Sequence, residues 1–337
     1  MGILSSKPLL KILIFMTYKQ FDTTTTNSFL PKVSVIVPIY NGEADLSELI
    51  ACFLAQTYPK ERVEYLLVDN NSSDRTLICL QTAAEHCPIH IRPLTEAQIQ
   101  SSYAARNTGI RAAAGEILAF TDADCRPQPQ WLHTLVQPFV NPDVALVAGE
   151  VASFPGKSLL ERFADRQDTL SQKHTLAHKF CPYGQTANLA IRRIAFEKAG
   201  LFRPYLTTGG DADICWRIER EQIGRLEFAP QAIVCHRHRA TLKELASQWR
   251  RYGRSNRYLH ELHGIELMRV ITVKECVYRL ARWLFKEIPL LSIKAILGKA
   301  QIIDLLTTPI GLFTARARYS GQMSAQLPEN AKIIDWF

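Results

Sequence analysis

Apolar runs of strand length alternate along this chain with segments whose apolar residues recur every three or four positions. Val33-Ser34-Val35-Ile36-Val37 is β-branched, is closed by Pro38, and predicts a buried first strand. Leu46, Leu49, Ile50, Phe53 and Leu54 then share one side of a helix that the pattern ends near Tyr58-Pro59. Val63–Val68 predicts a second strand, Asp69–Asp74 a polar turn, and Arg75–Glu85 a second helix. This repeated strand–turn–helix order implies a parallel sheet. A third helix over Ser101–Ala112, rich in small residues that allow close packing, leads through Gly115 into the apolar run Glu116–Phe120. A helix around Trp131–Val140 and a strand at Val144–Ala148 complete the pattern.

The third of these strands delivers Asp122 and Asp124 where the chain leaves the sheet. That edge is where open α/β sheets bind ligands. Two carboxylates there can converge on a hard divalent cation whose shell phosphate oxygens complete, although a solvated acidic turn has the same pattern. Asp69 is placed alike, just past the second strand, where a carboxylate can accept hydrogen bonds from a base or ribose. The plain alternative for this turn is capping of the next helix by Ser72, Ser73 or Asp74. No G-x-G-x-x-G follows the first strand, which argues against a nicotinamide or flavin site. Arg106 offers a guanidinium fork suited to phosphate, or is a surface arginine.

With 337 residues, 47% of them hydrophobic, the chain can build a sizeable core. Its formal charge of +8 is local: His236–Ser320 holds 16 Lys/Arg against 6 Asp/Glu. A basic tail behind a near-neutral body points to an anionic partner surface. Eight scattered cysteines without C-x-x-C spacing fit a reducing compartment rather than a disulfide framework. At the N-terminus, Leu9–Met16 is apolar but broken by Lys11 and too short to span a membrane. Gly2 and Ser6 match the myristoylation pattern, and Thr23–Ser28 reads as flexible leader.

Five segments, in this order and at these intervals, carry a family resemblance: Val33–Asn41 (VSVIVPIYN), Val68–Thr76 (VDNNSSDRT), Ala105–Gly109 (ARNTG), Gly115–Asp124 (GEILAFTDAD) and Gly209–Arg217 (GGDADICWR), with His236 beyond them. Together they resemble the family 2 glycosyltransferases of GT-A fold over roughly residues 32–255. The resemblance implies a Rossmann-like, mixed, mainly parallel sheet flanked by helices, with residues 1–31 as leader and 256–337 as a helical appendage. It also implies an inverting transfer from a nucleotide-diphospho-sugar, assisted by Mn2+ or Mg2+. Pro38, Tyr40, Asn41, Asp69, Arg106 and Asp122 would then bind the nucleotide-sugar. Asp122, Asp124 and His236 would hold the metal, with His238 close enough to exchange roles with His236. Asp211 matches the general base, while Gly210, Asp213, Trp216 and Arg217 fall on the acceptor side. Gly210 stands where the family has Glu, and Asp213 is either an acceptor contact or the cap of a helix starting near Ile214. Gly184–Ile191 resembles the stretch that walls the donor sugar and acceptor. Gln248-Trp249-Arg250-Arg251-Tyr252 resembles the Q-x-x-R-W motif of processive members with Tyr for Trp, so transfer of a single sugar is expected.

In the tail, Lys274, Arg279, Arg282 and Lys286 lie toward one helical face and Val273, Cys276, Val277, Leu280 and Leu284 toward the other. Such a basic amphipathic helix either packs on the domain or lies on an anionic membrane. A second apolar run, Ile302–Ala315, contains Asp304 and Pro309 and is shorter than a span. The expectation is a cytoplasmic enzyme peripheral on the cytoplasmic membrane face, acting on a saccharide or lipid-linked acceptor in polysaccharide or glycolipid biosynthesis, with no nucleic-acid partner. A nucleotidyltransferase acting on sugar phosphates and a basic nucleic-acid-binding protein are the competing readings.

Overall fold

The computed structural model describes residues 29–299 and 301–337, so Leu9–Met16, Gly2, Ser6 and Thr23–Ser28 lie outside the described residues. Its strands are β1 (Val33–Ile39), β2 (Val63–Asp69), β3 (Ile91–Thr95), β4 (Ile117–Thr121), β5 (Cys125–Pro127), β6 (Val144–Ser153), β7 (Asn188–Arg192) and β8 (Arg225–His236). They form one sheet in the order β3-β2-β1-β4-β7-β6-β8-β5. β3, β2, β1 and β4 are parallel; β7 is antiparallel to β4 and β6; β6 and β8 are parallel; β5 returns antiparallel on β8. The expected mixed, mainly parallel sheet is present.

The helices are α1 (Glu43–Leu54), α2 (Thr76–His86), α3 (Ser102–Ala112), α4 (Trp131–Val136), α5 (Leu159–Arg166), α6 (Lys173–Leu176), α7 (Arg193–Ala199), α8 (Gly210–Arg220), α9 (Leu242–His263), α10 (Val273–Arg282), α11 (Ile288–Ile296) and α12 (Ile302–Ser324). Every residue of β2 is buried, and every residue of β1 except Pro38. Strands covered on both faces need no polar side, which is why they read as continuous apolar runs. The alternation still sorts the core. Val35 and Val37 join Leu46, Leu49, Phe53 and Trp131 in one layer, whereas Ile36 joins Tyr103, Ile110, Phe202 and Ile214 in the other. Burying each large apolar side chain contributes about 1.5–3 kcal/mol, so the sheet is a rigid platform for the loops at its edge.

Three boundaries differ from expectation. Residues 29–31 are docked rather than loose: Tyr58 donates to the Pro31 carbonyl (2.7 Å) and Gln137 to that of Phe29 (3.2 Å). The tail does not begin at 256, because α9 runs unbroken to His263 and packs along α12. Gly253 and Gly321 set that crossing, since a Cβ on either would run into the Arg318 or Arg250 carbonyl. The helix that carries the last apolar run extends beyond it, because α12 continues through Pro309 to Ser324. A proline there cannot bond the carbonyl four residues back, and that carbonyl, Leu305, accepts the Trp283 indole N–H instead (2.6 Å).

Candidate active site

The parallel register brings the ends of β1 and β2 together, with Ile39 paired to Asp69, and β4 releases Asp122 directly after Thr121. Asn41 adopts a left-handed backbone (φ 50°). Its amide donates to Ser72 Oγ (2.9 Å) and its Oδ1 accepts the Ser73 amide (2.8 Å). Of the expected caps, therefore, only Asp74 serves the helix, taking the Thr76 amide (3.0 Å), while the two serines staple the neighbouring turn. Asn41 holds the loop that presents Tyr40, which is 57% exposed. Asp69 is buried under this loop and accepts the Ser72 amide at 3.3 Å.

The two aspartates of the D-x-D pair take different partners. Asp122 Oδ1 accepts from Arg106 Nη2 at 2.6 Å, and the Arg106 side chain is almost wholly buried. Asp124 Oδ2 lies 3.0 Å from His236 Nε2. Sheet pairing produces that contact, since Cys125 of β5 sits opposite His236 at the end of β8. Burial would raise the Asp124 pKa, but His236 and, more weakly, Arg239 outweigh it and hold the carboxyl at about 2. Burial works against protonating His236, and Asp124 nevertheless draws it above its ordinary value. His238 turns elsewhere, its Nε2 3.0 Å from Asp165 of α5.

Asp124, Cys125 and His236 each place one donor atom within 4.8 Å of the others. Cys125 is fully buried and its thiol is pushed well above the usual range by that burial, so it is a poor thiolate donor. The carboxylate oxygen that remains suits Mn2+ or Mg2+, and the imidazole nitrogen beside it suits a transition-metal ion. Asp122 is not in this group; it is turned to Arg106.

On the other side, α8 opens at Gly210 rather than near Ile214, so Asp211 and Asp213 both lie in its first turn. A Cβ at Gly210 would sit 2.7 Å from the Tyr103 ring. Tyr103 stacks on Phe202 and lies against the Arg106 guanidinium. This packing leaves no room for a side chain at Gly210. Asp211 Oδ1 accepts the Thr186 hydroxyl at 2.8 Å, and Oδ2 has no hydrogen-bond partner among the described residues. Burial raises the Asp211 pKa against the opposing pull of Arg106, Thr186 and Arg251, with Asp122 adding to the rise.

Asp213 is neither a cap nor an acceptor contact. It is fully buried and accepts from Arg203 Nε (2.9 Å), Arg217 Nε (3.1 Å) and His263 Nε2 (2.9 Å). Burial opposes its ionisation, but His263, Arg217 and Arg203 hold it at about 2. Trp216 and Arg217 are likewise removed from the acceptor side. Trp216 is fully buried and donates to the Cys181 carbonyl (2.9 Å), and Arg217 is spent on Asp213 and on the carbonyls of Ala199, Gly200 and Leu201. Sequence reasoning assigned no role to Thr186, Arg203 and His263. Thr186 lay inside the Gly184–Ile191 stretch, but only the packing of that stretch on α8 sets it against Asp211.

Comparison with known proteins places the family and the fold. The Glycosyl transferase family 2 model matches residues 34–200. Glycosyltransferase AglE of Haloferax volcanii is 36% identical over 250 residues, covering 73% of this chain and 80% of that protein. The pre-mycofactocin glycosyltransferase of Mycobacterium tuberculosis is 29% identical over 228 residues, covering 66% of this chain and 46% of that protein. This chain therefore spans less than half of that second relative. Among solved structures, the mannosyltransferase PcManGT from Pyrobaculum calidifontis, in complex with GDP-Man and Mn2+, superposes with a TM-score of 0.62 at 19% identity, covering 91% of each chain. The fold is that of the GT-A glycosyltransferases. The chain belongs to glycosyltransferase family 2 and is a glycosyltransferase, which sets aside the nucleotidyltransferase and nucleic-acid-binding readings.

Proposed function

We propose that the enzyme transfers one sugar, with inversion, from a nucleotide-diphospho-sugar to a hydroxyl of a saccharide or lipid-linked acceptor, with Asp211 as the base. The observation that carries this is the Tyr103 ring: Gly210, next to Asp211, packs against it, and Arg106, paired with Asp122, lies over it, so the base adjoins the strand-edge site. Tyr40, Pro38 and Asp69 flank the nucleotide, and Arg106 is held by Asp122 in a pose that can face phosphate. Asp124 and His236 would hold a divalent cation, which would supply positive charge against the departing nucleoside diphosphate. The Mn2+ and GDP-Man of the Pyrobaculum enzyme support this donor and cofactor class. Asp211 Oδ2 takes the proton of the attacking hydroxyl while Oδ1 stays on Thr186.

The metal part is tested at Asp124. Asp124→Asn keeps the shape but removes the charge, and should cut Mn2+-dependent turnover of a nucleotide-sugar by about tenfold or more while the fold persists. Wild-type turnover in excess chelator would remove the cation from the scheme.

A second part of the proposal places the enzyme peripherally on the cytoplasmic face of an anionic membrane. α10, the π-turn Trp283–Glu287 and α11 bury none of their residues among those described. Val273 (79%), Phe285 (78%) and Ile296 (86%) stand out to solvent. Lys274, Arg279, Arg282, Lys286 and Lys294 lie among them, the composition of an interfacial helix. No described helix is long and apolar enough to cross a membrane. Phe285→Asp with Ile296→Asp should lower co-sedimentation with phosphatidylglycerol vesicles by roughly tenfold, leaving turnover of soluble substrate unchanged. Undiminished vesicle binding would remove this surface from the proposal.

A further inference from the structure

We infer that Thr186 is a positioning residue for the proposed base, fixing Asp211 through Oδ1 so that Oδ2 alone meets the acceptor hydroxyl. The inference rests on the reading of Asp211 as base and adds a residue to it. Thr186 is buried (3% exposed) and reaches Asp211 from the loop before β7, a different part of the chain from α8. Its hydroxyl donates at 2.8 Å, the usual length of an O–H···O hydrogen bond. A carboxylate can rotate about its Cβ–Cγ bond, and a bond from a buried partner on another element removes that freedom. The Asp211 carboxylate accepts no second side-chain hydrogen bond among the described residues, so no other bond there sets its plane.

The same bond sets how readily Asp211 ionises. The groups facing it are Arg106 of α3, Asp122 after β4, and Arg251 of α9. Tyr103 of α3, Tyr183 of the loop before β7 and Cys215 of α8 complete its surroundings, each with its ionisation pushed up by burial. Thr186 is the only group that donates a side-chain hydrogen bond to it among the described residues. Removing that donor leaves burial, which raises the Asp211 pKa, with one opponent fewer.

The test compares Thr186→Val, which keeps the shape without the donor, with Thr186→Ser, which keeps the donor. Aspartate 13Cγ NMR titration of the whole protein reads Asp211 without any substrate, with Asp211→Asn supplying the assignment. The expected result is an Asp211 pKa higher by about one unit in Thr186→Val, and unmoved in Thr186→Ser. Turnover is followed as nucleoside diphosphate release with Mn2+, using whichever of UDP-glucose, UDP-N-acetylglucosamine and GDP-mannose the wild type consumes. The acid limb of that profile should move up with the pKa in Thr186→Val. The plateau should fall about tenfold with the donor KM unchanged, and Thr186→Ser should restore both. An unmoved pKa and profile in Thr186→Val, or equal loss in both variants, would overturn the inference while Asp211 stays the base. Full turnover by Asp211→Asn would overturn the base itself and this inference with it.

Discussion

Asp211→Asn should leave donor and metal binding close to wild type while transfer to the acceptor falls by about 10²–10⁴-fold. The asparagine carbonyl can still accept the Thr186 hydroxyl that Oδ1 accepts now, so the loop before β7 and the first turn of α8 keep their contact. What is lost is basicity at the one oxygen left unbonded among the described residues. The sign of the pH dependence follows from the environment. Burial lifts the Asp211 pKa above the ordinary aspartate value, and the base works only when ionised. Wild-type transfer should therefore rise with pH along a limb that lies higher than for a solvent-exposed aspartate, and the residual activity of the variant should show no such limb. Isothermal titration with a nucleoside diphosphate and Mn2+, run beside the rate–pH profile, separates the two effects. Equal loss of nucleotide affinity and of rate would move Asp211 to the donor side.

The donor half of this site was legible in the sequence and the acceptor half was not, for a physical reason. Asp69 ends β2 and Asp122 directly follows β4, both strands parallel to β1, so topology alone gathers them at one edge. A reader of the pattern can find that edge from buried runs and the turns after them. β3, β5, β7 and β8 escaped because Ile91–Thr95 and Cys125–Pro127 are short, Asn188–Arg192 enters the sheet antiparallel, and Arg225–His236 mixes exposed and buried positions without strict alternation. On the acceptor side, function depends on which aspartate of Asp211-Ala212-Asp213 faces the cleft and which faces the core. A two-residue spacing in the first turn of a helix turns them apart, and the sequence does not show which partners wait on either side. Arg203, Arg217 and His263 come from the loop after α7, from α8 itself and from the end of α9. Only tertiary packing assembles them on Asp213. Gly210 tells the same story: the glycine is visible in the chain, but the Tyr103 ring that crowds any side chain there is visible only in space.

Asp213→Asn should destabilise the protein by about 3–5 kcal/mol, far beyond the ~1 kcal/mol of a lost helix cap. The carboxylate has no exposure and compensates two guanidinium groups that are themselves nearly buried. Neutralising it leaves Arg203 and Arg217 in the interior without their anion, and Arg217 is already pushed below its ordinary pKa by burial. The effect has a pH signature. A carboxyl held at about 2 when folded against 3.8 in its reference state stabilises the fold fully only above the higher value. That contribution, roughly 2 kcal/mol, is lost as pH falls from near 4 through 2. The stability gap between wild type and Asp213→Asn, measured as urea midpoints, should therefore be wide at pH 6 and narrower at pH 3. Near neutral pH, turnover per folded molecule should stay close to wild type, because Asp213 touches arginines and a histidine. A variant with wild-type stability and abolished transfer would return Asp213 to the acceptor side and undo its assignment to the core.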